Sequence, residues 1–310
     1  MKRTIPLLGA LLLAGVTFVT SAQAAQKQAA SGTSTVTMTI TAVGKKGTTP
    51  PALKKDDVQP YKNKERLQVA DLRRGEDLLL AVVIDDSLES SIANQWSDLK
   101  AFFEAQPATT AIGVFYSSNG SVRVAQDFTT DHALAAKALR LPIGNRGAFS
   151  SPYLALQDMM KRWPSAGSRR SIVLISSGID YFRRGFGPKS PDLDPTIERA
   201  QKQNINIWTV YAPDAGHFGA GYFRQFNAQS NLSELSEETG GESYFLGTSA
   251  PVTLKPYFDE IAEHLNNQYL ISFSGTGGGK KGKFERVRVA TEVPNLEFLT
   301  PTNTFLPPSQ

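Results

Sequence analysis

Residues 78–91, LLLAVVIDDSLESS, carry the sharpest change of character in the chain. Leu78 to Ile84 is unbroken apolar sequence, the pattern of a strand buried on both faces of a parallel sheet. Asp85, Asp86, Ser87, Glu89, Ser90 and Ser91 follow at once, and Ile92, Trp96, Leu99 and Phe103 then recur at helical spacing. In open α/β sheets such a corner, from buried strand to polar cluster to helix, is where ligands bind.

The same alternation runs on. Residues 171–175 (SIVLI), 205–211 (INIWTVY) and 243–246 predict further core strands, and residues 131–141, 150–163, 231–239 and 252–267 predict helices. Residues 111–116 and 121–126 flank Ser117-Ser118-Asn119-Gly120, a hairpin signal that places one antiparallel strand in the sheet. Outside this block the pattern is β. Residues 33–43 alternate apolar and Thr positions, residues 66–72 predict a second strand, and 269–274, 284–291 and 296–299 predict three more. Residues 275–282 lack the Gly/Lys spacing of a phosphate loop and read as a flexible hairpin connection.

The predicted fold class is therefore α/β: a doubly wound, mostly parallel sheet with one antiparallel strand, flanked by N- and C-terminal β segments that form a small β module. The expected divisions are 1–24, 25–32, 33–74, 75–267 and 268–310. An inserted domain has its own ends close together, so the two β segments are expected to meet.

The first division is an address. Lys2 and Arg3 precede an apolar run over residues 5–19 and a small-x-small pattern, Ser21-Ala22-Gln23-Ala24, as in a secretory signal peptide cleaved near Ala24. Residues 25–32 read as a flexible leader. The expected location is periplasmic or secreted, with no membrane span in the mature chain. Absence of cysteine excludes a disulfide framework and a lipid-modified cysteine anchor. Without Lys2 and Arg3 the 33 basic residues become 31 against 29 acidic ones, and the net charge falls from +4 to +2. So balanced a charge argues against nucleic acid as a partner.

The order of elements and the first corner together resemble a von Willebrand factor type A domain, and more narrowly the exported type A-related proteins of acidobacteria. ALKKDDVQPYKN before the block, SIVLISSGID, SEETGGESYF and NQYLISF add to the resemblance. It implies a metal-ion-dependent adhesion site: Asp-x-Ser-x-Ser at the first corner, a Thr in a middle loop and an Asp after a later strand, holding Mg²⁺ or another divalent cation through hard oxygen ligands. On that pattern the metal candidates are Asp85, Ser87, Glu89, Ser150, Ser177 and Asp180. Glu89 stands where the second Ser belongs, Ser150 where the Thr belongs, and Ser177 where the last Asp belongs, with Asp180 or Asp86 as compensating carboxylates. The implied site is degenerate. Without metal, Asp86 and Ser87 read as helix N-caps.

Loops following parallel strands open on one edge of the sheet. Residues 180–195 carry Tyr181, Phe182, Arg183, Arg184 and Phe186; residues 213–230 carry His217, Phe218, Tyr222, Phe223, Arg224 and Phe226. Aromatic and Arg residues are enriched at binding hot spots, so Tyr181, Phe182, Arg183, Phe186, Tyr222, Phe223 and Arg224 are the candidate partner-binding residues. His217 is a candidate ligand, but His132, His217 and His264 come from separate elements with no paired spacing of zinc type, so His217 reads as a loop or surface residue.

The expected function is an exported, non-enzymatic binding or adhesion module for a protein or peptide. The alternatives are a structural envelope component without a ligand site and a metal-dependent hydrolase using Asp85, Ser87 and Glu89, with His217 as a further candidate. Against the hydrolase, the chain lacks Gly-x-Ser-x-Gly, His-Glu-x-x-His and any cysteine nucleophile.

Overall fold

A computed structural model describes residues 33–308 apart from 76, 145–149, 165–168, 183–187, 216–220, 246, 248, 250 and 277–280. The expected signal peptide and leader lie outside the described residues.

The first strands are β1 (Thr33–Gly44), β2 (Gln59–Lys62), β3 (Glu65–Arg66) and β4 (Val69–Arg74). The α/β block follows as β5 (Leu78–Asp85), α1 (Trp96–Glu104), β6 (Ala111–Ser118), β7 (Ser121–Thr129), α2 (His132–Lys137) and α3 (Pro152–Met159). It continues through β8 (Arg169–Ser176), α4 (Leu193–Lys202), β9 (Ile205–Tyr211), α5 (Tyr222–Thr239), β10 (Ser243–Tyr244) and α6 (Lys255–Asn266). The last strands are β11 (Gln268–Thr276), β12 (Lys283–Glu285), β13 (Val287–Ala290), β14 (Leu296–Leu299) and β15 (Thr304–Leu306).

The block is organised on a sheet of order β10-β9-β8-β5-β6-β7. All pairings are parallel except β6–β7, whose turn places Asn119 at φ 53° and Gly120 at φ 69°, as a two-residue hairpin requires. Every residue of β5 is buried, and successive side chains enter opposite cores. Leu80, Val82 and Ile84 pack with Trp96 and Phe103 of α1 and with Phe258 and Ile261 of α6. Ala81 and Val83 pack with Leu156 of α3, Ile197 of α4 and Leu232 of α5. Each such fully buried Val, Leu or Ile contributes about 1.5–3 kcal/mol. The chain leaves β5 toward β6 and later returns to its other side through β8, so the topological switch lies at the carboxyl ends of β5 and β8.

The two β ends meet. β1 pairs antiparallel with β11 and with β14, β11 with β4, and β13 with β2. This module sits against the amino edge of the parallel sheet. Thr39 of β1 donates its N–H to Asn204 Oδ1 (2.8 Å), just before β9. Buried Arg169, which opens β8, donates to the Leu265 carbonyl (2.8 Å) and to Gln268 Oε1 (3.0 Å). Asp85 lies at the opposite, carboxyl end of β5.

Three expectations change. The glycine-rich stretch does not join a hairpin: β11 pairs with β1 and β4, while β12 pairs with β15. The helix after the first corner begins as a 3-10 turn over Ser90–Gln95. Helix α5 begins at Tyr222, inside what reads as a loop; its buried face is built from Gln225, Gln229, Asn231, Ser236 and Thr239 as well as Leu232 and Leu235, which hides the apolar period.

Candidate functional site

Asp85 is the last residue of β5 and is fully buried. Its Oδ1 accepts from the Ser87 backbone N–H (3.0 Å) and from Ser87 Oγ (2.9 Å); its Oδ2 accepts from Ser176 Oγ (2.8 Å), the last residue of β8. Burial raises the Asp85 pKa above the ordinary carboxylate value, these hydrogen bonds pull it back, and the Asp214 carboxylate nearby pushes it up again.

The neighbouring groups are equally committed. Asp86, also buried, receives both arms of the Arg140 guanidinium, Nη1 to Oδ1 at 2.7 Å and Nη2 to Oδ2 at 2.8 Å. Arg140 in turn lies 3.7 Å over the Tyr116 ring. Neither Asp86 nor Ser87 caps the following helix, because its 3-10 start has Glu89 at the cap position without a side-chain bond. Glu89 is half-buried, donates its N–H to the Pro213 carbonyl (3.2 Å), and accepts from Ser91 Oγ (3.4 Å).

The loops do converge on this corner. Leu88 bridges to Asp214, and Ala215 N–H donates to the Ser87 carbonyl (2.8 Å). Ser150, buried ahead of the α3 N-cap Ser151, accepts on its carbonyl from the Tyr181 N–H (2.7 Å) and the Phe182 N–H (3.0 Å). Beside the corner lies a cavity of about 110 Å³ lined by Asp86, Ser87, Ser117, Asn119, Ile143 and Ser150. Ser117 Oγ is buried there with no hydrogen-bond partner among the described residues. The cavity is polar enough to hold water.

Of the six metal candidates, then, Asp85 and Ser87 are bonded to each other, and Ser87 and Ser150 share a cavity wall. The other three serve their own loops. Ser177 Oγ accepts from the Ile179 N–H (3.3 Å). Asp180 accepts from the Phe182 N–H (3.1 Å) and from Ser190 Oγ (2.6 Å).

Tested as a ligand set for a divalent cation, the corner fits poorly. Mg²⁺ is held by carboxylates and retained waters. Here both Asp85 oxygens are engaged, the Asp86 charge at the cavity is balanced by Arg140, and the other polar residues of the lining, serines and Asn119, are neutral.

The partner candidates divide by exposure. Tyr181 turns inward: its hydroxyl donates to buried Asp214, and its ring packs on Ile179 and Ala228. Phe182 is exposed, as are Tyr222, Phe223 and Arg224 in the first turn of α5. Tyr222 is 71% and Phe223 81% accessible, with the two rings edge to face at 6.4 Å. Arg183 and Phe186 lie outside the described residues, as do Arg184, His217 and Phe218. Sequence reasoning missed Arg140, Ser176 and Asp214. Only Asp214, three residues beyond β9 at the same edge, carried a legible signal.

No family model matches the chain, and no curated protein matches it. Solved structures do. It is similar to von Willebrand factor type A from Catenulispora acidiphila at 12% identity and TM-score 0.45, over 89% of this chain and 74% of that one. It is similar to the ArnB paralog VWA2 from Sulfolobus acidocaldarius at 12% identity and TM-score 0.38, over 87% and 76%. It is also similar to an aerotolerance-related membrane protein from Bacteroides fragilis at 13% identity and TM-score 0.44, over 61% and 98%. These are likenesses of fold alone, two of them to von Willebrand factor type A domains.

Proposed function

We propose that this chain is an exported, non-catalytic interaction module that captures a protein or peptide on the aromatic rim of the sheet's carboxyl edge, without a metal at its first corner. The observation that carries this reading is the exposure of Tyr222, Phe223 and Phe226 together at the start of α5, while the carboxylates of the first corner are already bonded. Large aromatics are costly to leave in water unless they meet a partner, and clusters of them are where interfaces concentrate binding energy.

The rim leads into a groove of about 270 Å³ lined by Phe226, Phe245, Gln229, Ser233, Glu237 and Glu238. A groove with two phenylalanines and several glutamates in its lining suits a peptide presenting an apolar side chain beside Lys or Arg. Tyr181, anchored to Asp214, would hold the neighbouring loop beneath that surface. Export rests on Lys2, Arg3 and the apolar run that follows them. No helix among the described residues is long and apolar enough to cross a membrane.

The test is a photocrosslinking residue placed at Phe223 in living cells, with the same residue at exposed Val124 on β7 as a control for chance contacts. A discrete adduct at Phe223 and none at Val124 supports the reading. Equal, diffuse labelling at both positions would remove it and favour a structural envelope component.

A further inference from the structure

At the amino edge of the sheet, opposite Asp85, another group of ligand-type side chains converges. Glu242 immediately precedes β10. Glu260 and His264 stand one turn apart on α6, at i and i+4 on one face. One ligand atom from each lies within 4.8 Å of the other two. The nitrogen turned inward is His264 Nδ1, 3.7 Å from Glu242 Oε2 and 3.3 Å from the Tyr244 hydroxyl. The other side of the imidazole faces Trp208, with ring centroids 5.3 Å apart, and the residue is buried.

The charge around that imidazole is one-sided. Burial raises the Glu242 pKa, and the carboxylates of Glu260, Glu297 and Glu237 raise it further, while a hydrogen bond from the Tyr244 hydroxyl pulls it back in part. Burial raises Glu260 as well, with Glu263 adding to it. Among the described residues neither Glu242 nor Glu260 forms an ion pair with lysine or arginine. Burial holds His264 down to about 4, so its ring is neutral at physiological pH and offers a lone pair rather than a balancing charge. The backbone is shaped to permit this: a β-carbon on Gly241 would lie 2.1 Å from the Ile207 carbonyl oxygen, so only glycine brings the chain close enough to set Glu242 on this edge.

We propose that Glu242, Glu260 and His264 form a binding site for a zinc-class divalent cation, with the Tyr244 hydroxyl beside it and the fourth position open to water. One imidazole nitrogen with two carboxylate oxygens matches the ligand preferences of Zn²⁺, whereas Mg²⁺ and Ca²⁺ take oxygen alone. Glu260 is exposed, which gives the ion a path in from solvent. Bound there, the cation would tie α6 to the start of β10 and replace carboxylate repulsion by attraction. The simpler reading is a metal-free Tyr–His–Glu hydrogen-bond network, and the experiment separates the two.

The purified chain is titrated with ZnCl₂ against a chromophoric chelator, with MgCl₂ as competitor and Trp208 fluorescence as a local reporter. The expected result is one equivalent of Zn²⁺, undisturbed by Mg²⁺, with affinity weakened more than about tenfold in Glu260→Gln. Asp85→Ala, at the other edge, should bind Zn²⁺ as the wild type does. His264→Ala removes a buried ring and risks misfolding, so Glu260→Gln, an exposed and isosteric change, decides. No saturable Zn²⁺ binding, or wild-type affinity in Glu260→Gln, would overturn the proposal.

Discussion

Arg140 holds both carboxylate oxygens of Asp86, at 2.7 and 2.8 Å, from a position 54 residues further along the chain. The forked geometry is specific to guanidinium, and the Asp86 side chain is only 5% exposed. Removing the arginine strands a buried carboxylate at the wall of the polar cavity. Arg140→Ala should therefore cost about 1–3 kcal/mol, less than a fully buried pair because the arginine itself is 40% exposed. Arg140→Lys should recover only part of this, since a point charge cannot engage both oxygens. Urea unfolding midpoints of the three proteins measure it.

Asp85 carries a pH signature. Its folded pKa is raised, chiefly by burial, so the folded state holds the proton more tightly than the unfolded chain does. Its stabilising contribution is therefore complete below the ordinary carboxylate pKa and is lost as the pH rises through the raised folded value. Asp85→Asn removes that titration. The stability of the wild type relative to Asp85→Asn should fall as the pH is raised from about 4 upward. Denaturation curves of both proteins across that range give the slope, and a wild-type stability that rises with pH relative to Asp85→Asn would contradict the assignment.

Docking of the β module rests in part on Asn204. It accepts the Thr39 N–H at 2.8 Å and sits at φ 53°, where asparagine is tolerated and most side chains are strained. Asn204→Gly keeps the backbone and loses the bond; Asn204→Ala loses both. The expected costs are about 1 kcal/mol for glycine and about 2 kcal/mol for alanine, read from thermal unfolding.

What was legible in the sequence follows from which interactions are local. The apolar run of β5 and the Asn119-Gly120 turn each contain their whole cause within a few residues, and both appear where the pattern places them. The meeting of the β ends followed from a topological rule. The first half of α5 was hidden because Gln225, Gln229 and Asn231 occupy buried positions that an apolar pattern leaves unmarked. At the site, Asp85 and Ser87 were readable from adjacency. Arg140 and Ser176 reach the corner only through the tertiary fold, so no spacing announces them. Glu260 and His264 share a helical face visible in the sequence, but a search for paired histidines passes over a carboxylate–histidine pair. Glu242 joins them only through the placement of β10.

The rim aromatics separate binding from folding. Tyr222 and Phe223 bury little of themselves in the protein. Replacing both by alanine should change stability by no more than about 0.5 kcal/mol, while a crosslinker moved to Phe226 should lose most of its discrete adduct. A destabilised double variant would mean that these rings pack the domain rather than meet a partner.

The central claim, that the first corner is closed by its own hydrogen bonds and works without a metal, is tested most directly by calorimetric titration of Mg²⁺ into the wild-type chain and into Asp85→Ala. The predicted result is no saturable heat at millimolar Mg²⁺ in the wild type, and no difference between the two proteins. Saturable binding in the wild type that disappears in Asp85→Ala would contradict it, and would mean that Ser87, Ser117 and Ser150 suffice to complete a cation site around that carboxylate.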